Sequence, residues 1–401
     1  MILTKSNKTF ASKTRASLRE PFQLKIASHR QVLNTIRIKK EISGADLARL
    51  NNLQPSTLVY ILRSLKEKGL IEVSRIDNSS GITGKPPTLW RLVADKGYIV
   101  GLEIIPNETR STVIDFSGKI IHQEHTIGLD NIGPDRLIPS INSFFRALLN
   151  HLDIPKRKIF GVGMALTGLV DRERGLVRYS RKLNLNNYPV GDALEKGLGL
   201  PIEVVNDANA GALGIKWQIG DDRQVDPNVI FLTLNEKTGY FGAGLILNKV
   251  LYEGALGSAG ELFTSLPSLS KLFERAERKY GSTFQLLSLD QQKGEIDIED
   301  VIKCARRNCK GSLYILKQYS RFVVEEIVRL VQLLNPHMIV LGGDITDARD
   351  LIYDNIVNTV NSRLDEIFVS GMPVPRIEFS RFGIYSVSVG ATALILRNIF
   401  V

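Results

Sequence analysis

The chain has 401 residues, which is too many for one ordinary hydrophobic core, so two or three domains are expected. Its composition, 43% hydrophobic and 23% charged, is that of a soluble globular protein and excludes a disordered chain. No apolar run approaches the roughly 18 residues that a membrane span needs, and the polar, basic N-terminus lacks the apolar segment of a secretory signal. We therefore expect a cytoplasmic protein with no membrane partner.

The positive charge is concentrated in the first quarter of the chain. Residues 1–95 hold 17 basic and 7 acidic side chains, whereas the remaining residues hold 35 of each. Such segregation is typical of a polyanion-binding module joined to an electrically neutral one. A solvated basic tail would explain residues 1–25, which hold 6 basic and 1 acidic side chains, but the other half of the positive excess lies in patterned sequence.

Apolar spacing predicts three helices in the first 70 residues. The first covers about 25–37, and the second begins at the capping box formed by Ser43 and Asp46. The third begins near Pro55, because the fixed φ of proline suits the first helical position. The side chains expected on the buried faces are Ile26, Val32, Leu33 and Ile36; then Ala45, Leu47 and Leu50; then Leu58, Ile61, Leu62 and Leu65.

The second and third predicted helices, joined by a tight turn at 51–53, match the pattern of a helix-turn-helix. The second helix of that motif enters the DNA major groove with its N-terminal end first. Strands at 71–73 and 89–92 enclose a long basic loop that we interpret as a wing. The candidate DNA-binding residues are Pro55, Ser56, Thr57, Tyr60 and Arg63 on the helix and Arg75 and Lys85 in the wing. The expected partner is a double-stranded DNA operator. The alternative is that this three-helix unit serves as a protein-interaction module.

From Tyr98 onward the sequence alternates apolar strands with helices, which predicts an α/β fold. Strands of a hairpin meander (98–121) are followed by a helix (135–150), a buried strand (160–170) and a strand-turn-helix unit (201–217). A second hairpin (229–255), a helical stretch (268–335), a strand (337–345) and an apolar C-terminal helix complete the pattern. Two similar α/β halves are compatible with this order.

The order of motifs resembles the ROK family (repressors, open reading frames, kinases) of the hexokinase/actin-like superfamily. The similarity spans about residues 25–401 and includes the segments GKPPTLWRL, GVGMALTGLVD, VVNDANAGALG, YEGALGSAGE, LNPHMIVLGGDI and VGATAL. It implies a winged helix-turn-helix over 1–95, followed by two α/β lobes with a ligand cleft between them. The first lobe would cover 96–215 and be completed by the last helix at about 386–401, and the second would cover 216–385.

The nucleotide side of the resemblance is degraded. Kinases of the family begin the first lobe with Asp-x-Gly-Gly-Thr-Lys, and here Glu103 stands for the acid, residues 105–107 for Gly-Gly-Thr, and Glu108 for the lysine. Pro106 removes an N–H group that a phosphate cradle uses, and a glutamate repels phosphate. The second phosphate loop, 238–242, places two aromatic residues in a glycine turn. We therefore expect a sensor that binds no nucleotide cofactor and catalyses no reaction.

The sugar side is partly retained. Asp207 matches the general base of the family kinases, which would serve in a regulator as a hydrogen-bond acceptor for a sugar hydroxyl, and Glu261 matches a second sugar ligand. From the residues alone, an Asx turn that caps the following helix is as good an interpretation of Asn206 and Asp207. The candidate ligand-binding residues are Thr167, Gly168, Lys182, Asn206, Asp207, Gly257 and Glu261.

Three departures concern zinc and the ligand. The family histidine is replaced by Thr264, the zinc-binding cysteine cluster is missing, and a family asparagine is replaced by Lys182. Cys304 and Cys309 are too few for a structural zinc site, which normally takes four ligands, so no metal is expected. A cationic Lys182 would favour a phosphorylated or acidic sugar, whereas a solvated lysine is the simpler interpretation.

These features predict a sugar-responsive transcriptional regulator, and a repressor in particular, that works as a homodimer or homotetramer. The alternatives are an active ATP-dependent sugar kinase with an autoregulatory DNA-binding domain, and a regulator controlled by a protein partner instead of a small ligand. The identity of the sugar and the sequence of the operator are not determined by these residues.

Overall fold

The computed structural model describes residues 26–76, 87–106, 108–127, 133–219, 226–235, 240–262, 268–281, 298–368 and 374–401. Its N-terminal unit, called the head below, contains three helices and a small antiparallel sheet. The helices are α1 (Ala27–Lys39), α2 (Gly44–Leu50) and α3 (Pro55–Glu67), and the strands are β1 (Ile42–Ser43), β2 (Ile71–Ile76) and β3 (Thr88–Leu92). The strand order is β1-β3-β2. The three helices and the pair of strands follow one another in the order predicted from the sequence.

The caps of the head helices agree with the sequence pattern. The Ser43 hydroxyl accepts a hydrogen bond from the backbone N–H of Asp46 at 3.1 Å, which satisfies one of the free donors at the start of α2. The same hydroxyl donates to the Asp46 carboxylate at 2.8 Å, and this bond lowers the pKa of Asp46. Pro55 is the first residue of α3, as its missing N–H and fixed φ favour.

Three of the side chains predicted to be buried in the head are exposed. The prediction was wrong for Ala45 and Leu50 of α2 and for Ile26. Because α2 has only seven residues, Leu47 is its one buried side chain. Ile26 precedes α1 as its N-cap in extended backbone, so its side chain does not share the helical face.

The five-stranded sheet formed by described residues, with α4 (Pro134–His151) and α5 (Val190–Leu198), is called the first lobe below. Its strands in spatial order are β11 (Ile202–Asn206), β7 (Ile159–Leu166), β4 (Tyr98–Ile105), β5 (Glu108–Asp115) and β6 (Ile120–Ile127). The first three are parallel to one another, β5 is antiparallel to β4, and β6 is antiparallel to β5. A separate three-stranded sheet consists of β8 (Leu169–Asp171), β9 (Leu176–Ser180) and β10 (Leu185–Tyr188).

The second lobe, defined by the next sheet of described residues, repeats this strand pattern. Its strands are β17 (Arg376–Phe379), β16 (Met338–Gly343), β12 (Val229–Asn235), β13 (Tyr240–Leu247) and β14 (Val250–Tyr252), with β15 (Glu261–Leu262) beside β13. Again the first three are parallel and the hairpin strands are antiparallel. The helices of this lobe are α7 (Leu269–Tyr280), α8 (Ile298–Arg306), α9 (Lys310–Leu334) and α10 (Arg349–Ile367). The two lobes therefore share one topology.

Two helices lie where the lobes meet, α6 (Asp207–Ile219) and α11 (Ser386–Phe400). The helix α6 packs on β12 and β13 of the second lobe, and α11 packs on α6 and on β4 and β7 of the first lobe. The segment Gly383–Phe400 is apolar enough to cross a membrane, but 72% of it is buried in the fold, as in a core helix. The predicted boundary at residue 215 falls inside α6, so the division between the lobes stays a proposal.

The head rests on the C-terminal helix. Val32, Leu33 and Ile36 of α1 belong to the same buried cluster as Ile399 and Phe400 of α11. Beside that cluster the Arg37 guanidinium lies 4.4 Å from the centroid of the Trp217 ring and 5.4 Å from that of Phe400. Such cation–π contacts favour arginine over lysine, because its planar guanidinium stacks on aromatic rings.

Candidate functional site: an exposed helix face and an interlobe cleft

The first candidate surface is the outer face of α3. Its buried stripe consists of Leu58, Ile61, Leu62 and Leu65, as the sequence predicts. The predicted DNA-binding side chains on the opposite face are all exposed: Pro55, Ser56, Thr57, Tyr60 and Arg63. Val59, which the sequence analysis did not single out, is 66% exposed on this same helix. An exposed valine on a recognition helix can contact a thymine methyl group.

The wing residues are only partly described. Arg75 lies on β2. Its guanidinium is 3.3 Å from the carboxylate of Glu41, which comes just before β1, so the two side chains form an ion pair within the head. The strands β2 and β3 pair around residues 77–86, and Lys85 lies in that segment, outside the described residues.

The second candidate site begins where β7 and β11 end side by side. Asn206 pairs with Leu166, and its side-chain amide donates to the carbonyl of Gly168 at 3.0 Å. Its side-chain oxygen accepts from the backbone N–H of Asn209 at 3.2 Å. Asn206 therefore caps α6 and ties its start to the loop of Thr167 and Gly168. The geometry agrees with the capping interpretation of Asn206, and its role as a ligand-binding residue stays a prediction.

Gly168 is required for its conformation. Its φ is +114°, and a Cβ atom there would lie 2.4 Å from the carbonyl oxygen of Tyr179. Any other residue would push this loop away from β9. The loop therefore brings Thr167, a half-buried residue, next to the first turn of α6.

Asp207 is the first residue of α6, at the positive end of the helix dipole. One carboxylate oxygen accepts from the N–H of Ala208 at 2.8 Å. Desolvation nevertheless raises the pKa of Asp207 to about 7, and the nearby negative charge of Glu261 adds to this shift. Desolvation also raises the pKa of Glu261. These two carboxylates, predicted as sugar ligands, are thus brought together in the cleft.

The loop between β14 and β15 closes onto the first lobe at this point. Gly257 has a φ of +74°, and a Cβ atom there would lie 2.9 Å from the carbonyl oxygen of Val170. Nearby, the guanidinium of Arg172 is 3.3 Å from the carboxylate of Glu253. Both contacts hold this loop against the β8 segment, and the role of Gly257 as a ligand-binding residue stays a prediction. Lys182 lies on the exposed turn between β9 and β10, and Thr264 is outside the described residues.

The nucleotide side of the cleft has a different structure. Ile105 at the end of β4 pairs with Glu108 at the start of β5, so the position of the kinase phosphate loop is a tight hairpin that contains Pro106. Beside it lies Arg110, whose side chain is 3% exposed. Its guanidinium is 2.6 Å from the carboxylate of Glu108 and 2.7 Å from that of Asp344, the residue after β16.

Glu103, which stands for the metal-binding acid of the kinases, belongs to this cluster. Its Oε2 is 3.9 Å from the Arg110 guanidinium, too far for a hydrogen bond, and this same oxygen is buried without a hydrogen-bond partner. Desolvation raises the pKa of Glu103 to about 8, against the opposing effect of Arg110. The negative charges of Asp207 and Asp344 raise it further, so the two sides of the cleft are electrostatically coupled.

Sequence reasoning missed Arg110 and Asp344. A signal was present, because Glu108 and Arg110 alternate on a strand that is buried along its whole length. Charged side chains on a fully buried strand need partners, and this points to a buried ion cluster. The partner on the second lobe could not be identified from sequence spacing, since 234 residues separate Arg110 from Asp344.

The comparisons with known proteins agree with this architecture. The ROK family profile matches residues 99–263 and 274–398, and the chain belongs to this family. A xylose repressor of Caldicellulosiruptor bescii is 23% identical over 390 residues, covering 92% of this chain and 94% of that protein. The DNA-binding transcriptional dual regulator NagC of Escherichia coli is 22% identical over 376 residues, covering 89% of each.

Two solved structures have the same fold. A ROK family transcriptional regulator, a homologue of the Escherichia coli Mlc protein, superposes with a TM-score of 0.70 at 20% identity. The match covers 93% of this chain and 96% of that one. A ROK family glucokinase of Streptomyces griseus, solved with glucose and AMPPNP, gives a TM-score of 0.62 at 22% identity and covers 74% of this chain and 99% of the kinase.

Proposed function

We propose that the chain is a sugar-responsive transcriptional repressor of carbohydrate-metabolism genes, acting in the cytoplasm as a homodimer or homotetramer on double-stranded DNA. The observation that carries the proposal is a cleft that has the Pro106 hairpin and the Arg110 cluster on its nucleotide side and keeps Asp207 and Glu261 on its sugar side. The chain also presents a polar helix face. The xylose repressor and the transcriptional dual regulator match nearly the whole chain, head included, whereas the glucokinase matches about three quarters of it.

The proposed effector is a neutral sugar or sugar derivative, bound by Asp207 and Glu261. Two carboxylates can accept hydrogen bonds from several hydroxyls at once. Thr167, Gly168 and Gly257 would shape the walls, and Lys182 would meet an anionic substituent if the ligand carries one. The ligand changes DNA binding only if it favours one closure of the lobes over another.

The ligand is tested by calorimetric titration of the whole protein with D-xylose, glucose, N-acetylglucosamine, their phosphates, and ATP with magnesium. We expect one sugar to bind, Asp207→Ala to weaken this binding by about 10- to 100-fold, and ATP to give no heat. If no sugar titrates, control by a protein partner becomes the better interpretation.

The DNA-binding surface is tested with an operator selected from random-sequence duplexes by the whole protein. Tyr60→Ala and Arg63→Ala should each weaken operator binding by about tenfold or more, since a base contact contributes about 1–3 kcal/mol. Arg278→Ala, an exposed arginine on α7, is the matched control and should bind normally. Equal affinity of all three variants for the operator would reject α3 as the recognition helix.

An active sugar kinase is the second candidate, favoured by one observation. The pKa of Asp207, raised to about 7, suits a general base at neutral pH. Against it stand the hairpin at Pro106 and the Arg110 cluster in the nucleotide half. Release of ADP when the protein is mixed with ATP, magnesium and a hexose would favour the kinase.

A further inference from the structure

Arg110 connects the two lobes from a fully buried position. Its Nε donates to Glu108 of the same strand, and one terminal nitrogen donates to Asp344 of the second lobe at 2.7 Å. The other terminal nitrogen donates to the carbonyl oxygen of Ile384 at 3.2 Å, just before α11. A single side chain therefore links the first lobe, the second lobe and the entry to the C-terminal helix.

The geometry of these bonds requires a guanidinium. Arginine presents five donors in a rigid fork, and here three of its nitrogens reach three separate acceptors. A lysine carries the charge but cannot span these directions from one atom. The second oxygen of Asp344 is buried without a hydrogen-bond partner, so this carboxylate depends on Arg110 for its compensation.

The cluster lies at the hairpin that occupies the position of the family's phosphate loop. Any group that contacts both lobes on this side of the cleft favours their closure, because it interacts differently with the open and closed states. Here Arg110 makes such a contact with protein groups alone. Closure on this side would then need no cofactor.

We propose that Arg110 is a positioning residue for the effector: it holds the lobes in the ligand-competent closure in place of a nucleotide. This rests on the proposed function only in that the cleft binds a sugar. The apparent dissociation constant is the intrinsic one divided by the fraction of molecules in the competent state. Loss of this link lowers that fraction. The apparent sugar affinity then falls, although Arg110 does not contact the sugar.

The test uses whole-protein variants Arg110→Met and Arg110→Lys, with Arg306→Met as the matched control. Arg306 pairs with Asp350 at 3.0 Å on the exposed surface of the second lobe. Sugar affinity is measured by calorimetry with D-xylose and N-acetylglucosamine, and lobe closure by the radius of gyration from X-ray scattering, with and without sugar.

We expect Arg110→Met to weaken sugar binding by about tenfold or more, which corresponds to about 1.4 kcal/mol. The substitution should also increase the radius of gyration of the free protein. Saturating sugar should return its radius to the wild-type liganded value, a recovery that simple misfolding would not give. Arg110→Lys should be intermediate and Arg306→Met unchanged. A folded Arg110→Met with wild-type affinity and radius overturns the proposal.

If Arg110→Met does not fold, Asp344→Asn replaces it, because an amide keeps an acceptor for Arg110 but removes the charge. The same two readouts and the same expected directions then apply. If the wild-type protein binds neither sugar, the proposed effector class fails, and the radius of the free variants alone decides on the interlobe link.

Discussion

The two sides of the cleft differ in how their carboxylates are compensated. On the sugar side, desolvation raises the pKa values of Asp207 and Glu261, and glycine turns bring the walls together. On the nucleotide side, Arg110 is buried among three carboxylates that come from both lobes. The difference shows that the properties of carboxylates within one fold depend on whether a buried arginine compensates their charge. Our proposal is that the sugar side serves a ligand and that the nucleotide side has become structural.

The largest effect is expected on stability, when the ion cluster on the nucleotide side is disrupted. Asp344→Ala leaves Arg110 buried with one partner fewer and should lower the free energy of unfolding by about 3–5 kcal/mol, measured by urea denaturation. Glu325→Ala, which removes an exposed pair with Arg363, is the control and should change it by less than about 1 kcal/mol. An Asp344→Ala protein as stable as the control would mean that the cluster is not structural.

On the sugar side, loss of a carboxylate should lower the ligand affinity and leave stability unchanged. Asp207→Ala removes a charged hydrogen-bond acceptor, which contributes about 1.5–3 kcal/mol, so the sugar affinity should fall by about 10- to 100-fold in calorimetry. The stability of the free protein should be unchanged or higher, because a desolvated carboxylate is lost. Normal sugar binding by this variant would remove Asp207 from the site.

The pH dependence of stability sharpens the comparison through Glu103. Its pKa is about 8 in the folded chain against an ordinary value of 4.5, so the folded state keeps a proton that the unfolded state has released. Stability from this group is therefore present at low pH and is lost as the pH rises through about 8. Asp207, with a pKa of about 7, acts in the same direction.

Glu103→Gln should flatten this profile. Calorimetric Tm values between pH 5 and 8.5 should fall less steeply in the variant than in the wild type. The difference between the two profiles reports the titration of Glu103 together with its electrostatic effect on neighbouring groups such as Asp207. Parallel profiles would show that Glu103 titrates normally in the folded chain.

The smallest effect is expected at the rim of the cleft. Arg172→Ala breaks the half-buried interlobe pair with Glu253. Partial solvation limits the contribution of such a pair to about 1 kcal/mol or less, so stability and sugar affinity should change by a few-fold at most. A loss as large as that of Asp344→Ala would place the interlobe link at the rim instead of at Arg110.

The elements that could be predicted from the sequence are those specified by residues close to one another along the chain. The helices of the head were predicted from apolar spacing and from the caps at Ser43 and Pro55, and the buried stripe of α3 was confirmed. The exposed Ala45 and Leu50 were missed because periodicity alone does not say how many turns of a short helix reach the core. The alternation of strands and helices predicted the α/β class, which the family match confirms.

By itself, the sequence determined the order of the elements, the charged head, the polar face of α3 and the residues that replace the kinase phosphate loop. These depend on neighbours within a few residues, and such patterns can be read along the chain. The cap at Asn206 was one of two interpretations of the sequence, and the structure shows its hydrogen bond. Tertiary structure alone decided that Gly257 meets Val170 and that Arg110 meets Asp344. The reason is physical: the energy of a buried charge depends on partners that folding brings from distant parts of the chain.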